Sequence, residues 1–354
     1  MKRDSDRASD LVEKLTGERP RHCARLKTLW AGYGTIYSVT LKRGPSLILK
    51  HIDPPDISGE DHDESDARKL LSYAVEEHFY SRLSNTLPAQ CPVPKYIASC
   101  KDGERGLALL MQNVKQGYPI LAEARGELTE EQTMQAIHWL ARFHQHFEDY
   151  QDAEPCPTPA AASQWSGGGV WKRGGYSYLS TRLEELAAIP ASSEWAVFRN
   201  TGLAQALDNF LSAPDQVGRT LLHGDVKAAN LAFKHPKDAA QDPSGGVLAY
   251  DFQYTGFSLG VTDLAKFLQS SVPSELLSPD NEERVLRKYH ELRGGEAWLR
   301  WQLFWEQWEV AILDWARFMA GWGWWGNERW LKQRARDLLR RPGWQAAFLN
   351  KWAS

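Results

Sequence analysis

Hydrophobic positions in the first third of the chain follow a pattern typical of β-strands. Residues 35–41 are rich in β-branched and aromatic side chains, and residues 47–52 form a short apolar run after a Gly-Pro pair. Residues 107–111 form another brief apolar run, which is followed by a polar, irregular segment. Together these segments predict an antiparallel sheet near the N-terminus, with a glycine turn between the first strands of residues 26–50.

Helical spacing replaces this pattern in two longer segments. Residues 67–83 carry apolar side chains on one helical face, which predicts an amphipathic helix after a charged segment, residues 60–69, that is expected to be a solvated loop. A second helix is predicted for residues 129–147, where Thr129 and Gln132 have the spacing of a capping box. The chain beyond it is predicted to be mainly helical. Residues 151–169, rich in proline, alanine, serine and glycine, are expected to form a long loop and are a candidate lid.

Composition changes this picture mainly by exclusion. With 354 residues, the chain exceeds the size at which one hydrophobic core stops growing, so two packed units that share a cleft are expected. Lysine and arginine number 42 against 45 aspartate and glutamate residues, which leaves a net charge of −3 and no basic field for nucleic acid. No run approaches the roughly 20 apolar residues of a membrane-spanning helix, and the charged residues 1–15 do not resemble a signal peptide.

Four scattered cysteines form no C-x-x-C pair, so neither a zinc site nor a disulfide framework is indicated. Reduced thiols in a cytosol are the simpler interpretation. We therefore expect a cytoplasmic protein, and the sequence indicates no nucleic acid, membrane or protein partner.

The strongest chemical signal is the segment LLHGDVKAANLAF at residues 221–233, followed by LAYDFQ at residues 248–253. An asparagine lies five residues after the HGD aspartate, and DFQ occupies residues 251–253. In this order the motifs resemble the signature of aminoglycoside phosphotransferases and choline kinases, and the DFQ form is most similar to the ecdysteroid-kinase-like group. The resemblance covers roughly residues 26–320.

The resemblance implies the two-lobed protein-kinase-like fold, an α+β architecture. An N-terminal lobe built on an antiparallel sheet, residues 1–112, would bind nucleotide. A larger and mainly helical C-terminal lobe, residues 113–354, would hold the catalytic and substrate-binding residues.

Three polar side chains in these motifs have the donor types that phosphoryl transfer requires. A loop aspartate can take the proton of an attacking hydroxyl, while an amide oxygen and a second carboxylate can hold magnesium, which prefers hard oxygen ligands. By resemblance, Asp225 is the catalytic base, and Asn230 and Asp251 are the metal ligands. Aspartate and asparagine also commonly cap turns, but the order and separation of the two motifs disfavour that interpretation.

Upstream residues fit the same resemblance. Lys50 lies where the family places the lysine that binds ATP phosphates, and the predicted helix at residues 67–83 supplies Glu76 or Glu77 as its carboxylate partner. The segment that begins at Glu76 resembles the pattern E-x-x-F-Y of the family, which favours Glu76 and leaves Glu77 open.

Two further segments are candidates for nucleotide contacts. Gly32 and Gly34 lie in a turn whose backbone amides could approach phosphate, although Tyr37 stands where a protein kinase has a third glycine and a simple hairpin would explain the same glycines. Met111 and Asn113 lie in a segment that resembles the hinge between the lobes, which would contact adenine.

Other polar residues near the motifs are given structural roles. His223 is expected to steady its loop through hydrogen bonds, and Asp263 to brace that loop from a helix start. Lys227 is either an exposed loop lysine or a point charge for the transferred phosphate.

Sixteen tryptophans are present, and many follow residue 297. Four of them fall on one helical stripe, namely Trp301, Trp305, Trp308 and Trp315. Core packing is the simpler interpretation. The alternative is that some rings line the acceptor pocket with Glu306, Glu309 or Asp314, where they would suit a cationic ligand or a flat, steroid-like alcohol.

The resemblance therefore implies an ATP-dependent, Mg²⁺-requiring kinase that transfers the γ-phosphate of ATP to a hydroxyl of a small molecule. HGD in place of HRD, DFQ in place of DFG and the lack of an APE segment give no indication of a peptide-substrate loop. The alternative is a kinase-like protein that binds nucleotide or ligand without catalysis, because a signature can outlast activity. Cationic amines, sugars and steroid-like alcohols all remain open as acceptors.

Overall fold

The computed structural model describes residues 2–54, 64–122, 126–152, 155, 168–239 and 245–353. Its N-terminal part contains an antiparallel sheet of five strands in the order β1-β2-β3-β5-β4. The strands are β1 (His22–Thr28), β2 (Gly34–Thr40), β3 (Leu47–Ile52), β4 (Tyr96–Asp102) and β5 (Gly106–Gln112). The predicted sheet is thus confirmed, and it extends over every apolar run that suggested it.

Helix α1 (Lys2–Thr16) packs against one face of this sheet. Ala8, Leu11 and Val12 are buried beside the sheet residues Val39 and Leu49. The sequence interpretation of residues 1–15 as merely charged missed this helix. Its few apolar positions nevertheless have the i, i+3, i+4 spacing of a narrow amphipathic stripe, which is enough to bury one face.

Helix α2 (Glu64–His78) continues through a π-helical turn, Phe79–Leu83, so the predicted helix is present and begins three residues early. Residues 64–69, expected to be loop, are therefore helical, and residues 60–63 lie outside the described residues. Phe79 and Leu83 are buried in the large core that runs into the C-terminal part. Helix α2 thereby connects the sheet to the rest of the molecule.

The C-terminal part is mainly helical, as predicted. Its longer helices are α3 (Glu130–His146), α6 (Leu203–Ser212), α8 (Val261–Ser271), α9 (Pro279–Leu292), α10 (Trp301–Trp322), α11 (Glu328–Leu339) and α12 (Trp344–Trp352). Shorter helices are α4 (Leu183–Ala188), α5 (Val197–Asn200) and α7 (Pro236–Ala239). The capping box of α3 is present, because Thr129 accepts the N–H of Gln132 at 3.2 Å and Gln132 accepts that of Thr129 at 3.0 Å.

Short strands hold the two motif loops. Strand β7 (Arg219–Leu222) pairs with β10 (Gly256–Leu259), while β6 (Ile120–Leu121), β8 (Leu231–Phe233) and β9 (Val247–Ala249) form a second small sheet. The HGD loop therefore lies between β7 and β8, and DFQ follows β9 after one residue, Tyr250. This topology brings two distant segments of sequence to the same place.

The tryptophan stripe of α10 belongs mainly to the core. Trp308 and Trp315 are buried, and Trp301 and Trp305 pack against the same cluster from its edge. The prediction of core packing is confirmed for these four rings. The predicted loop at residues 151–169 lies almost entirely outside the described residues. No helix in the described ranges has the length and apolar character needed to cross a membrane.

Candidate active site

A cavity of about 1280 Å³ is lined by residues from both the sheet and the helical part. Its walls include most of the predicted site residues, namely Lys50, Glu76, Met111, Asn113, Asp225, Asn230 and Asp251. A volume of this size exceeds that of ordinary single-ligand pockets and can hold a nucleotide beside a second small molecule.

Lys50 and Glu76 form a buried ion pair on the sheet side of the cavity. Lys50 Nζ lies 2.6 Å from Glu76 Oε2 and 3.3 Å from Asp251 Oδ1. Burial opposes the charged ammonium, but the two carboxylates outweigh burial and raise the pKa of Lys50 above its usual value. Glu77 instead accepts a hydrogen bond from Ser99 at 2.7 Å, so the partner of Lys50 is Glu76.

The E-x-x-F-Y segment reaches the DFQ loop through each of its three fixed residues. Glu76 shares Lys50 with Asp251, while the Phe79 ring stacks on Phe252 with centroids 3.8 Å apart. The Tyr80 hydroxyl accepts the backbone N–H of Asp251 at 3.3 Å. This spacing therefore couples helix α2 and its π-helical turn to the position of the Asp251 carboxylate.

Asp251 itself has a backbone conformation that few residues adopt. Its φ angle is +72°, in the left-handed region that aspartate tolerates better than most residues. Strained backbone of this kind clusters at functional sites. Gln253, two residues later, accepts a hydrogen bond from Ser72 of α2 at 3.2 Å, and its carbonyl accepts one from Trp171 at 2.8 Å.

The HGD loop is held by side chains beneath it. Asp263 of α8 accepts the backbone N–H groups of His223 and Gly224 at 2.7 and 3.0 Å. Burial lowers the pKa of His223, so the ring is neutral and its Nε2–H donates to the Tyr250 carbonyl at 3.1 Å. A Cβ atom at Gly224 would collide with the carbonyl oxygen of Tyr254, which is why glycine is required there.

The Asp225 carboxylate is buried and accepts hydrogen bonds from three side chains. Oδ1 accepts from Lys266, and Oδ2 accepts from Lys227 at 2.8 Å and from Asn230 at 3.0 Å. Burial alone would raise the pKa of Asp225, but the two lysines outweigh it and lower the pKa to about 2. Asp225 is therefore an ionised acceptor throughout the neutral range.

Asn230 and Asp251 have the chemistry of a magnesium site that is completed by a ligand. The Asn230 amide nitrogen donates to Asp225, which leaves the amide oxygen for a cation. In the described part of the chain no three His, Cys, Asp or Glu side chains group as a complete metal site. One carboxylate and one amide oxygen suit Mg²⁺ that takes its other ligands from water and phosphate.

The predicted hinge residues line the cavity, whereas the two predicted glycines lie outside its described wall. Met111 and Asn113 line the cavity, but the Asn113 N–H donates to the Ser46 carbonyl at 3.1 Å and its side chain accepts from Lys115, so Asn113 holds the connector in shape. Gly32 and Gly34 do not appear among the described residues of the cavity wall.

Gly34 instead has a local structural reason. Its φ is +146°, and a Cβ atom there would collide with the carbonyl oxygen of His51 on β3. The glycine is thus required by hairpin packing, as the alternative interpretation of this turn supposed. Residues 26–29, at the end of β1 and directly after it, line the cavity in place of these glycines.

Aromatic and charged side chains also line the cavity. Tyr176, Tyr254 and Trp322 line it. Arg182 lies over the Trp322 ring, 4.7 Å from guanidinium carbon to centroid, and pairs with Glu185 at 2.8 Å. We call this group of residues the acceptor end, because the centroid of the Tyr176 ring lies 3.9 Å from the ammonium of Lys266, which in turn binds Asp225.

The carboxylates of α10 that were candidates for this end lie elsewhere. Glu309 is bound by Trp305 and Arg341, Asp314 pairs with Arg317 at 2.8 Å, and exposed Glu306 is absent from the described cavity wall. The interpretation that placed them in the acceptor pocket is wrong. Only Trp322, at the C-terminus of α10, reaches the cavity from this helix.

Comparison with known proteins now decides the family. The family model described as the phosphotransferase enzyme family, APH, matches residues 25–304. The chain belongs to this family. No curated protein matches it.

Solved structures resemble this phosphotransferase at the level of the fold. A putative fructosamine-3-kinase from Thermobifida fusca is 18% identical with a TM-score of 0.52, and covers 94% of this chain and 98% of its own. A choline/ethanolamine kinase family protein from Mesorhizobium loti is 13% identical with a TM-score of 0.50, covering 98% and 99%.

A mutant of aminoglycoside 2′-phosphotransferase-IIIa in complex with GDP is 13% identical with a TM-score of 0.51, covering 98% and 96%. These likenesses confirm the two-lobed kinase-like fold and the resemblance to aminoglycoside phosphotransferases and choline kinases.

Several residues of the candidate site had no signal in the sequence. Lys266 lies three positions after Asp263, and the buried side of a helix gives no reason to expect a charge there. Arg182 and Tyr176 follow the long loop in a segment without periodicity. Only Trp322 belonged to a group that the sequence singled out.

Proposed function

We propose that this protein is an ATP- and magnesium-dependent phosphotransferase of the cytoplasm that acts on a hydroxyl group of a small molecule. One observation carries the proposal. The paired Lys50 and Glu76, the carboxylate of Asp251 and the Asp225–Asn230 pair all line one cavity, although they come from four separate segments of sequence. Phosphoryl transfer needs this combination, because its catalysis consists mainly of positioning and charge neutralisation.

The nucleotide would bind between the lobes, which we divide at residues 112 and 113. Lys50 would contact the phosphates, and Glu76 holds it ready by fixing its ammonium in a buried pair. Ile36, Ile48 and Met111 line the same cavity and offer apolar surface to the base. Gly32 and Gly34 would act through the turn they shape, since neither lines the cavity wall that is described.

Asn230 and Asp251 would hold magnesium through their oxygens. When bound, the ion neutralises charge on the nucleotide phosphates. The chain contributes the orientation of its ligands, because Asp225 fixes the Asn230 amide and Tyr80 fixes the backbone of Asp251.

Asp225 would receive the proton of the acceptor hydroxyl. The acceptor O–H bond breaks, the acceptor oxygen bonds to the γ-phosphorus, and the bond between that phosphorus and the leaving ADP oxygen breaks. With its pKa lowered to about 2, Asp225 is a weak base that accepts the proton late, as fits a transition state with little bond formation to the acceptor. Lys227, one-third exposed, can follow the transferred phosphate as a point charge.

The acceptor end favours an uncharged ring over a cation. Arg182 already occupies the face of Trp322 and is paired with Glu185. A cationic acceptor would compete with this guanidinium for the same ring, whereas an apolar ring can lie along Tyr254.

ADP release in the presence of magnesium tests the proposal. Hydroxylated amines, sugars and steroid-like alcohols are supplied in turn. ADP release from ATP is compared with GDP release from GTP, because one structural relative holds GDP. We expect one acceptor class to accelerate ADP release by the native protein and not by Asp225→Asn. A protein that binds neither nucleotide in the presence of magnesium would contradict the proposal.

A further inference from the structure

Lys266 is a deeply buried lysine that binds the Asp225 carboxylate from beneath the loop. It belongs to α8, its side chain is 4% exposed, and its ammonium donates a hydrogen bond to Oδ1 of Asp225. The ammonium also lies 3.9 Å from the centroid of the Tyr176 ring at the acceptor end. A buried charge is costly unless it is paired, and Asp225 is the carboxylate that pairs with Lys266.

Helix α8 holds the catalytic loop at three points. Asp263 accepts two backbone N–H groups from the HGD segment, at 2.7 and 3.0 Å, and Ser271 accepts one from Ala228, later in the loop, at 2.8 Å. Lys266 lies on the same face of the helix, one turn after Asp263. The helix therefore fixes both the backbone of the loop and, through Lys266, the side chain of Asp225.

The two lysines on Asp225 differ in their freedom to move. Lys227 belongs to the loop itself, is 33% exposed, and donates to Oδ2. Lys266 extends from a helix into the core and donates to Oδ1. Departure of Lys227 toward a phosphate would remove one of the two donors on Oδ2 and leave Asn230 as the other, at 3.0 Å. Oδ2 would then have a lone pair open to a new donor, while Oδ1 would stay anchored by Lys266.

We propose that Lys266 is a positioning residue, which anchors one oxygen of Asp225 so that the other faces the acceptor hydroxyl. Its effect on turnover rests on the proposed function, whereas the anchoring itself does not. During transfer the acceptor proton passes to Oδ2 of Asp225, and Lys266 keeps all of its protons.

Four variants test this role: Lys266→Met, Lys227→Met, Asp225→Asn and the double variant of Asp225→Asn with Lys266→Met. The probes are magnesium-dependent ATP hydrolysis, with water as acceptor, and binding of a non-hydrolysable ATP analogue. We expect Lys266→Met to lower turnover by about tenfold or more while changing analogue affinity by less than about twofold. Lys227→Met should weaken analogue binding instead.

The double variant separates positioning from mere stability. If Lys266 acts through Asp225, the double variant hydrolyses ATP at about the rate of Asp225→Asn alone, because residues that act as a unit are not additive. Unchanged turnover in Lys266→Met, or a loss that adds in full to that of Asp225→Asn, would overturn the proposal.

Thermal unfolding keeps the test valid if catalysis or folding fails. If the native protein does not bind nucleotide, the proposed function is contradicted. The anchoring role is then tested by the midpoint temperature of thermal unfolding. We expect Lys266→Met to lower this midpoint less in the Asp225→Asn background than in the native protein. An equal loss in both backgrounds overturns the anchor. If Lys266→Met does not fold, folding of the double variant supports the pairing of Lys266 with Asp225. Failure of both variants to fold counts against that pairing.

Discussion

Replacing Glu76 by glutamine should weaken nucleotide binding far more than the same change at Glu77. Glu76 is almost fully buried and lies 2.6 Å from Lys50 Nζ, whose remaining partner, Asp251, lies at 3.3 Å. Without the Glu76 charge, the ammonium is drawn toward Asp251. Nucleotide binding must then break that contact, and it also loses a correctly placed Lys50.

The magnitude follows from the strength of a charged hydrogen bond. Such a bond contributes roughly 1.5–3 kcal/mol, and about 1.4 kcal/mol corresponds to tenfold in affinity. Glu76→Gln should therefore raise the Kd of a magnesium-bound ATP analogue by about 10- to 150-fold. Glu77 accepts only a serine hydroxyl, at 2.7 Å from Ser99, and glutamine can accept the same hydrogen bond. Glu77→Gln should change the Kd by about twofold or less.

Calorimetric titration with the analogue measures both variants, and urea unfolding verifies that each is folded. The pair is well matched, because neighbouring residues on one helix undergo the same chemical change. Equal weakening in the two variants, or an unchanged Kd in Glu76→Gln, would refute the assignment of Glu76 as the partner that prepares Lys50 for phosphate.

Three further outcomes are expected. Asp225→Asn should lower turnover by on the order of 10²-fold or more with analogue affinity nearly intact, and a collapse of affinity would contradict its role as base. Phe252→Ala should lower the free energy of unfolding in urea by about 3–5 kcal/mol, because the Phe252 ring is fully buried and stacked on Phe79. A decrease of less than about 1 kcal/mol would show that this contact does not join the helix to the DFQ loop. Burial raises the pKa of Cys91 to about 12, and its thiol donates a hydrogen bond to the carbonyl of Trp139. Iodoacetamide at pH 8 should therefore label Cys91 only after unfolding, whereas half-buried Cys100 should react in the native protein. Rapid labelling of Cys91 in the native protein would contradict its burial.

Local patterns sufficed where chemistry and spacing coincide. The apolar runs predicted an antiparallel sheet at the N-terminus, although not its strand β4, and Thr129 with Gln132 predicted a capping box that the structure contains. The short spacing within HGD-x4-N restricts its side chains to one loop, so residues such as Asp225 and Asn230 could be expected to meet. Their contact at 3.0 Å is the outcome of that restriction.

Contacts made over long sequence separations could not be predicted in this way. The choice between Glu76 and Glu77 depends on which face of α2 turns toward β3, and one position on a helix rotates a side chain by about 100°. A lysine at position 266 is unexpected on the apolar face of a helix. Its partner, Asp225, lies 41 residues away in the sequence, so the pairing is visible only in the structure. Helix α1 was missed because four apolar residues among many charges form a weak periodic signal.

The candidate acceptor residues show the same limit. A stripe of tryptophans predicts a buried face, and Trp308 is indeed buried in the core. Nothing in the periodicity indicates that the end of α10 turns Trp322 into the cavity, or that Arg182 from another segment covers it. Loop segments without periodicity carry no such information, because their positions are set by the elements that they connect.

Magnesium dependence of nucleotide affinity tests the central claim most directly. Titration of a non-hydrolysable ATP analogue, with and without magnesium, should show tighter binding with the ion in the native protein. Asp251→Asn should remove most of that enhancement and leave the metal-free affinity nearly unchanged. A native protein whose affinity does not respond to magnesium, or an Asp251→Asn variant that keeps the full enhancement, would contradict a phosphotransfer site built around Asn230 and Asp251.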